Sequence, residues 1–128
     1  MQIGNYKIET IISSRFRLDG GAMFGVVPKP LWEKENPSDE SNRIAMVTRN
    51  LLISGEGKVI LIDTGNGGKW DEKGKKIYAI EELDGLQNGL KSLGYAPEDV
   101  THVINTHLHF DHCGGNTYRD GNKLKISF

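Results

Sequence analysis

Thr106-His107-Leu108-His109-Phe110-Asp111-His112-Cys113-Gly114-Gly115 decides how this chain reads. Three imidazoles and a carboxylate fall within six residues, in a chain of 128 residues that has four histidines in all. Imidazole nitrogens and carboxylate oxygens suit zinc and its borderline neighbours, iron and manganese among them. The order His-x-His-x-Asp-His suits two adjacent ions better than one. His107, His109, Asp111 and His112 are therefore the candidate metal ligands. The bland alternative is a polar loop with unrelated histidines, and it sits poorly with three of the four histidines in one window.

The flanking sequence puts this cluster on a scaffold. Val103-Ile104-Asn105 is apolar and β-branched and runs into the motif, as a short buried strand feeding a loop does. Lys58 to Gly65 repeats the pattern: four apolar residues, then Asp63, then a Thr-Gly turn. If the two strand ends lie side by side, Asp63 orients one of the histidines from behind. A turn-forming Asp is an equal reading of the same residue.

Outward from there the chain alternates strands with loops. Tyr6–Ile12 is a first strand, and Arg15–Leu18 continues it past a Ser-Ser break. Gly20 to Asn42 holds Pro28, Pro30 and Pro37 and reads as a long loop. Met23, Phe24, Leu31 and Trp32 along it form either a substrate wall or a patch that packs the loop down. Arg43–Ile53 and Lys58–Ile62 pair as a hairpin around Ser54-Gly55-Glu56-Gly57. Asn66 to Lys76 is a glycine- and lysine-rich loop. Ile80, Leu83, Leu86, Leu90 and Leu93 recur at helical spacing, and Gly94 and Pro97 stop that helix. Gly85 and Gly89 inside it each cost up to about 1 kcal/mol against Ala. Lys123 to Phe128 alternates like a half-buried strand. The sum is a mixed α/β layer, an antiparallel meander followed by a helical crossover to the strand before the motif.

Composition excludes several classes. The net charge of −1 gives no basis for binding nucleic acid or anionic membrane. No apolar run approaches the ~18 residues a bilayer requires. The N-terminus lacks the regions of a signal peptide. One cysteine excludes an internal disulfide and favours a reducing, cytoplasmic setting. Cys113 reads as a small packed residue and His102 as a structural one. Sixteen glycines exceed the usual share of about 7% and fit a loop-rich rim.

With His107-x-His109-x-Asp111-His112 and Ile62-Asp63-Thr64-Gly65 in place, the chain resembles the metallo-β-lactamase superfamily. The likeness is to the branch of acyl-homoserine lactonases and glyoxalase II-like enzymes. Asp19-Gly20-Gly21-Ala22-Met23-Phe24-Gly25-Val26 resembles the glycine-rich loop near the start of lactonase-like members. The resemblance implies an α/β fold, the first half of an αββα sandwich, with one mixed sheet under a covering helix. It implies that 1–128 is a single partial domain whose C-terminal half is absent. It assigns His107 and His109 to a first zinc, Asp111 and His112 to a second, and proton transfer to Asp111. Iron or manganese can stand in for zinc. The family also uses a later histidine, a bridging aspartate and a last histidine. No histidine follows His112, and Asp120 lies too near the motif to serve. The implied reaction is hydroxide attack on a lactone, thioester or related ester of small size, weak or absent in a chain with only this half. The alternative is a non-catalytic fragment or a metal-binding module that self-associates through its uncovered half.

Overall fold

A computed structural model describes residues 1–128. Strands β1 (Gln2–Ile3), β2 (Tyr6–Asp19), β3 (Arg43–Gly55), β4 (Lys58–Ile62) and β5 (His102–Ile104) form one sheet in that order. The first four pair antiparallel, and β5 joins β4 in parallel with Leu61 opposite Val103. The expected meander and crossover are both present.

The Ser-Ser break expected in the first strand is instead a bulge. β2 runs unbroken for 14 residues, and its register passes from Ile12↔Arg49 to Ser14↔Thr48. Ser13 is the extra residue. Its buried hydroxyl is satisfied by side chains of β3, so two polar residues in mid-strand do not end it.

The β3–β4 turn has Glu56 and Gly57 at its tip, both with positive φ (49° and 72°). That is the two-residue form whose twist matches the flanking strands.

The long loop from Gly20 to Asn42 contains two short helices, α1 (Gly20–Phe24) and α2 (Lys29–Trp32). The prolines did not exclude them, because Pro30 sits in the first turn of α2, where its missing N–H has no partner to lose. Asp19 caps α1 by accepting from the Ala22 amide at 2.8 Å. Trp32 is 5% exposed and stacks on Phe24 at 4.9 Å, so these aromatics pack the segment down while Met23 and Leu31 stay exposed.

The crossover differs from expectation in two places. The Asn66–Lys76 loop gives way to α3 (Glu72–Tyr78), capped by Asp71 and ended by Ala79 at φ 46°. The amphipathic helix is shorter than its apolar spacing suggests: α4 covers Gly85–Ser92, leaving Ile80 and Leu83 outside. The Glu81 amide donates to the Arg15 carbonyl at 3.0 Å, so this stretch bonds to β2 rather than to its own turn. Leu86 and Leu90 of α4 enter the core with Ile11, Leu52, Leu61 and Val100. Each such side chain contributes roughly 1.5–3 kcal/mol by burial. The two helix glycines have a use: a Cβ at Gly89 would strike the Ile11 side chain, and one at Gly85 the Ser13 carbonyl. Their absence lets α4 lie close on β2.

The second half of the motif lies in α5 (Phe110–Cys113), followed by a single 3₁₀ turn (Gly114–Asn116) and a separate hairpin of β6 (Thr117–Asp120) and β7 (Lys123–Ile126). The structure therefore has a second, two-stranded sheet beside the mixed one. The tail expected to be half-buried is exposed along all of β7, since its partner is β6 rather than the core sheet. Phe128 alone reaches the core's edge.

The sheet face away from α4 is apolar and open. Register aligns Leu51, Ile62 and Ile104 across it, with Leu51 38% and Ile104 52% exposed. No helix is long and apolar enough to cross a membrane.

Candidate metal centre

The parallel pairing of β4 and β5 sets Asp63 and the start of the motif side by side. The Asp63 amide donates to the Ile104 carbonyl at 2.9 Å, which locks the two strand ends together. Asp63 then turns into the left-handed region at φ 58°, unusual for a residue with a side chain. The turn aims its carboxylate at the motif. Asp63 Oδ1 accepts the Thr106 amide at 2.7 Å, and Oδ2 accepts the Thr106 hydroxyl at 2.8 Å. Oδ2 also lies 2.8 Å from His112 Nδ1. Burial raises the Asp63 carboxyl pKa, but the hydrogen bonds from His112 and Thr106 outweigh it and hold the pKa below the ordinary value.

These contacts fix tautomers. The Thr106 hydroxyl has one proton, and the carboxylate takes it. The His107 Nδ1, 3.1 Å from Thr106 Oγ1, is then the donor of that pair. His107 Nε2 is left with its lone pair free, and it faces His109 Nδ1 at 3.1 Å. His112 likewise gives its Nδ1 proton to Asp63, leaving Nε2 free, 3.5 Å from Asp111 Oδ2. The three rings gather closely, with His107 centred 3.9 Å from His112 and 4.6 Å from His109.

One of these separations can be set against that of two donors on a single divalent ion. Two nitrogens each ~2.0–2.1 Å from one zinc at a tetrahedral angle lie ~3.3 Å apart. His107 Nε2 and His109 Nδ1 have nearly that separation. No three His, Cys, Asp or Glu side chains converge as a metal-holding group, so the remaining positions of any ion fall to other donors. His102 stands apart, exposed, with Nδ1 on the Thr101 hydroxyl. Cys113 is a half-buried free thiol.

Sequence reasoning missed the backbone supports. The His112 carbonyl accepts from the Thr64 amide at 2.7 Å and from Asn105 Nδ2 at 3.2 Å. Asn116 links these two donors: its Nδ2 donates to Asn105 Oδ1 at 2.7 Å, and its Oδ1 accepts the Thr64 hydroxyl at 2.8 Å. Polar residues at both edges of the motif were the available signal. Glycines do the rest. Gly65 bridges Cys113 in parallel, and a Cβ on Gly67, Gly114 or Gly115 would strike the backbone of the opposite loop. Beneath the cluster, Thr48, Arg49, Asn50, Asp63, Asp111 and His112 line a cleft of about 220 Å³.

Known proteins share this frame. A family model described as the metallo-beta-lactamase superfamily matches residues 47–118. An N-acyl homoserine lactonase from a Bacillus species is 40% identical over 75 residues, 51% of this chain and 30% of that protein. A probable metallo-hydrolase of Mycobacterium tuberculosis is 30% identical over 82 residues, 56% of this chain and 26% of its own length. The crystal structure of a probable metal-dependent hydrolase from Staphylococcus aureus superposes with a TM-score of 0.84 at 39% identity, over 91% of this chain and 43% of that one. The chain thus spans less than half the length of each of these proteins. The matched residues run from β3 through the paired strand ends and the histidine motif into β6, more than half of the chain, and the chain belongs to the metallo-β-lactamase superfamily.

Proposed function

We propose that this chain carries metal-ligating residues of a hydrolase that opens lactones. The observation that supports it most is the facing pair His107 Nε2 and His109 Nδ1 at 3.1 Å, with the His107 lone pair set by the contact of its Nδ1 with Thr106. The lactone assignment leans on the Bacillus lactonase relatives, with thioesters and other small esters next in line. His107 and His109 would hold one ion, Asp111 and His112 a second. Zinc suits these donors, with iron or manganese as alternatives. Such ions supply a nucleophile at neutral pH and draw charge from a carbonyl oxygen.

The chain's own residues orient and move protons. Asp63 and Thr106 hold the His107 and His112 rings in one tautomer each. Asp111 borders the cleft, where its carboxylate can take a proton and return it to the leaving alkoxide.

The test is elemental analysis of the purified chain at pH 7.5 beside a His107→Ala/His109→Ala double variant. A panel of a homoserine lactone, a thioester and a phosphoester follows. One or two equivalents of metal, lost in the variant, with at most slow ring opening of the lactone, is the expected result. No metal in a folded parent would sink the reading, and thioester turnover alone would replace the lactone. A second reading is a metal-binding module without turnover, since the chain spans 30% of the length of the Bacillus lactonase it matches. It predicts bound metal with all three substrates intact.

A further inference from the structure

The short helix carrying Asp111 and His112 is gripped from a side that neither the motif nor Asp63 accounts for. Lys69 lies in the loop after β4, half-buried, and takes part in no ion pair. Its ammonium instead donates to two backbone carbonyls, those of Gly114 and Thr117, the latter at 2.6 Å. These carbonyls bracket the 3₁₀ turn that follows α5. Burial lowers the Lys69 pKa and the nearby Cys113 raises it, with Arg119 adding a smaller lowering. A desolvated ammonium without a carboxylate is costly unless its donors are used, and here two of three are spent on this one turn.

The adjacent residue grips the other end of the same helix. The Trp70 indole N–H donates to the Asn66 carbonyl at 3.1 Å, which fixes the ring. The ring stands edge-on to Phe110 at 5.4 Å, and Phe110 is the residue between His109 and Asp111. Between these two contacts the backbones meet directly, since Gly67 leaves no room for a Cβ against Gly114. The start of α5 is thus tied to Trp70 and its exit to Lys69, two consecutive residues outside the motif.

We propose that Lys69 is a positioning residue: by holding the Gly114 and Thr117 carbonyls it sets the direction in which Asp111 and His112 leave α5. This rests on the metal reading above for its consequence, though not for its geometry. An ammonium at this place acts on ligand spacing without touching an ion or a substrate.

The experiment compares the full chain with Lys69→Met and Lys69→Arg. Amide hydrogen exchange is followed in metal-free protein, and cobalt(II) alone is then titrated in. In Lys69→Met, exchange over residues 110–117 should rise about tenfold with the β2–β4 amides unchanged. Cobalt affinity should fall about tenfold, the lower end of the effect of losing a supporting contact to a ligand. Lys69→Arg, which keeps cationic donors, should recover most of both. Unchanged exchange over 110–117 in Lys69→Met would overturn the proposal. So would faster exchange throughout the sheet, which marks Lys69 as a general stability residue, or a loosened turn with unaltered cobalt affinity. A parent that takes up no cobalt would defeat the metal reading and with it the consequence for ligands, while the exchange data would still decide whether Lys69 holds the turn.

Discussion

Asp63 Oδ2 lies 2.8 Å from Nδ1 of His112, a contact between residues 49 apart in sequence. It exists because β4 and β5 end together and Asp63 takes a left-handed turn at φ 58°. Such a conformation costs of order 1–3 kcal/mol, and surrounding contacts must hold it. Thr106 supplies them through its amide and hydroxyl. Supporting partners of metal-ligating histidines typically contribute 10–100-fold in affinity. Asp63→Ala should therefore weaken zinc or cobalt binding about 10–100-fold, measured by competition with a chromophoric chelator. Unchanged affinity would reduce Asp63 to a turn residue.

The crossing of the two glycine loops yields a second prediction. A Cβ on Gly115 would strike the Thr64 carbonyl, which is backbone and cannot swing aside. Thr64 is itself fully buried and donates to the His112 carbonyl. Gly115→Ala should destabilise the chain by roughly 1–3 kcal/mol, the usual cost of overpacking. It should also displace the His112 carbonyl. Denaturant unfolding measures the first effect, and the carbonyl chemical shift of His112 the second.

How far the sequence carried the reading follows from particular residues. The histidine motif was legible because its information is local: residue types and spacing within one loop. The Asp63 contact was half legible, since equal strand-then-turn patterns suggest neighbouring strand ends but do not exclude a plain turn. The start of α4 was not legible. Ile80 and Leu83 keep the helical period, yet Glu81 bonds to the β2 backbone, a tertiary choice that no local pattern records. Gly85 and Gly89 read as defects, although each marks a close approach of helix to strand. Lys69 read as one cation of a glycine- and lysine-rich loop because its partners are carbonyls some 45 residues away.

The bulge in β2 carries a third prediction. Ser13 Oγ has one proton and sits 2.5 Å from Asn50 Oδ1, with Thr48 Oγ1 at 2.8 Å. The chain of donors therefore runs Thr48 to Ser13 to Asn50, and all three residues are buried. Asn50→Ala removes the final acceptor and strands a buried hydroxyl, which costs about 1–3 kcal/mol. Asn50→Ala combined with Ser13→Ala should cost less than the two single changes added together. Unfolding of the four proteins in urea gives the coupling; strict additivity would mean the network is not shared.

Asp39 and Arg43 form a pair whose contribution to the fold depends on pH. The Asp39 carboxylate accepts the Arg43 amide and Nε, each at 2.9 Å, and the Ser41 amide. The Arg43 amide hydrogen bond lowers its pKa most; burial opposes, and the net position is below the ordinary 3.8. A carboxylate with a depressed folded pKa stabilises the fold above its unfolded pKa and loses that contribution as pH falls through the folded value. Arg43 also donates to the Lys76 and Ile77 carbonyls, so the same pair ties the α2–β3 segment to the C-terminal end of α3. Protonating Asp39 therefore loosens two segments at once. The Tm gap between the parent and Asp39→Asn should be constant from pH 7 to about pH 5, begin to shrink as the pH falls past the ordinary 3.8, and close below the lowered folded value, where the parent's own carboxyl is neutral. A gap that does not shrink at all as the pH falls below 3.8 would show that Asn disturbs the turn geometry rather than the charge.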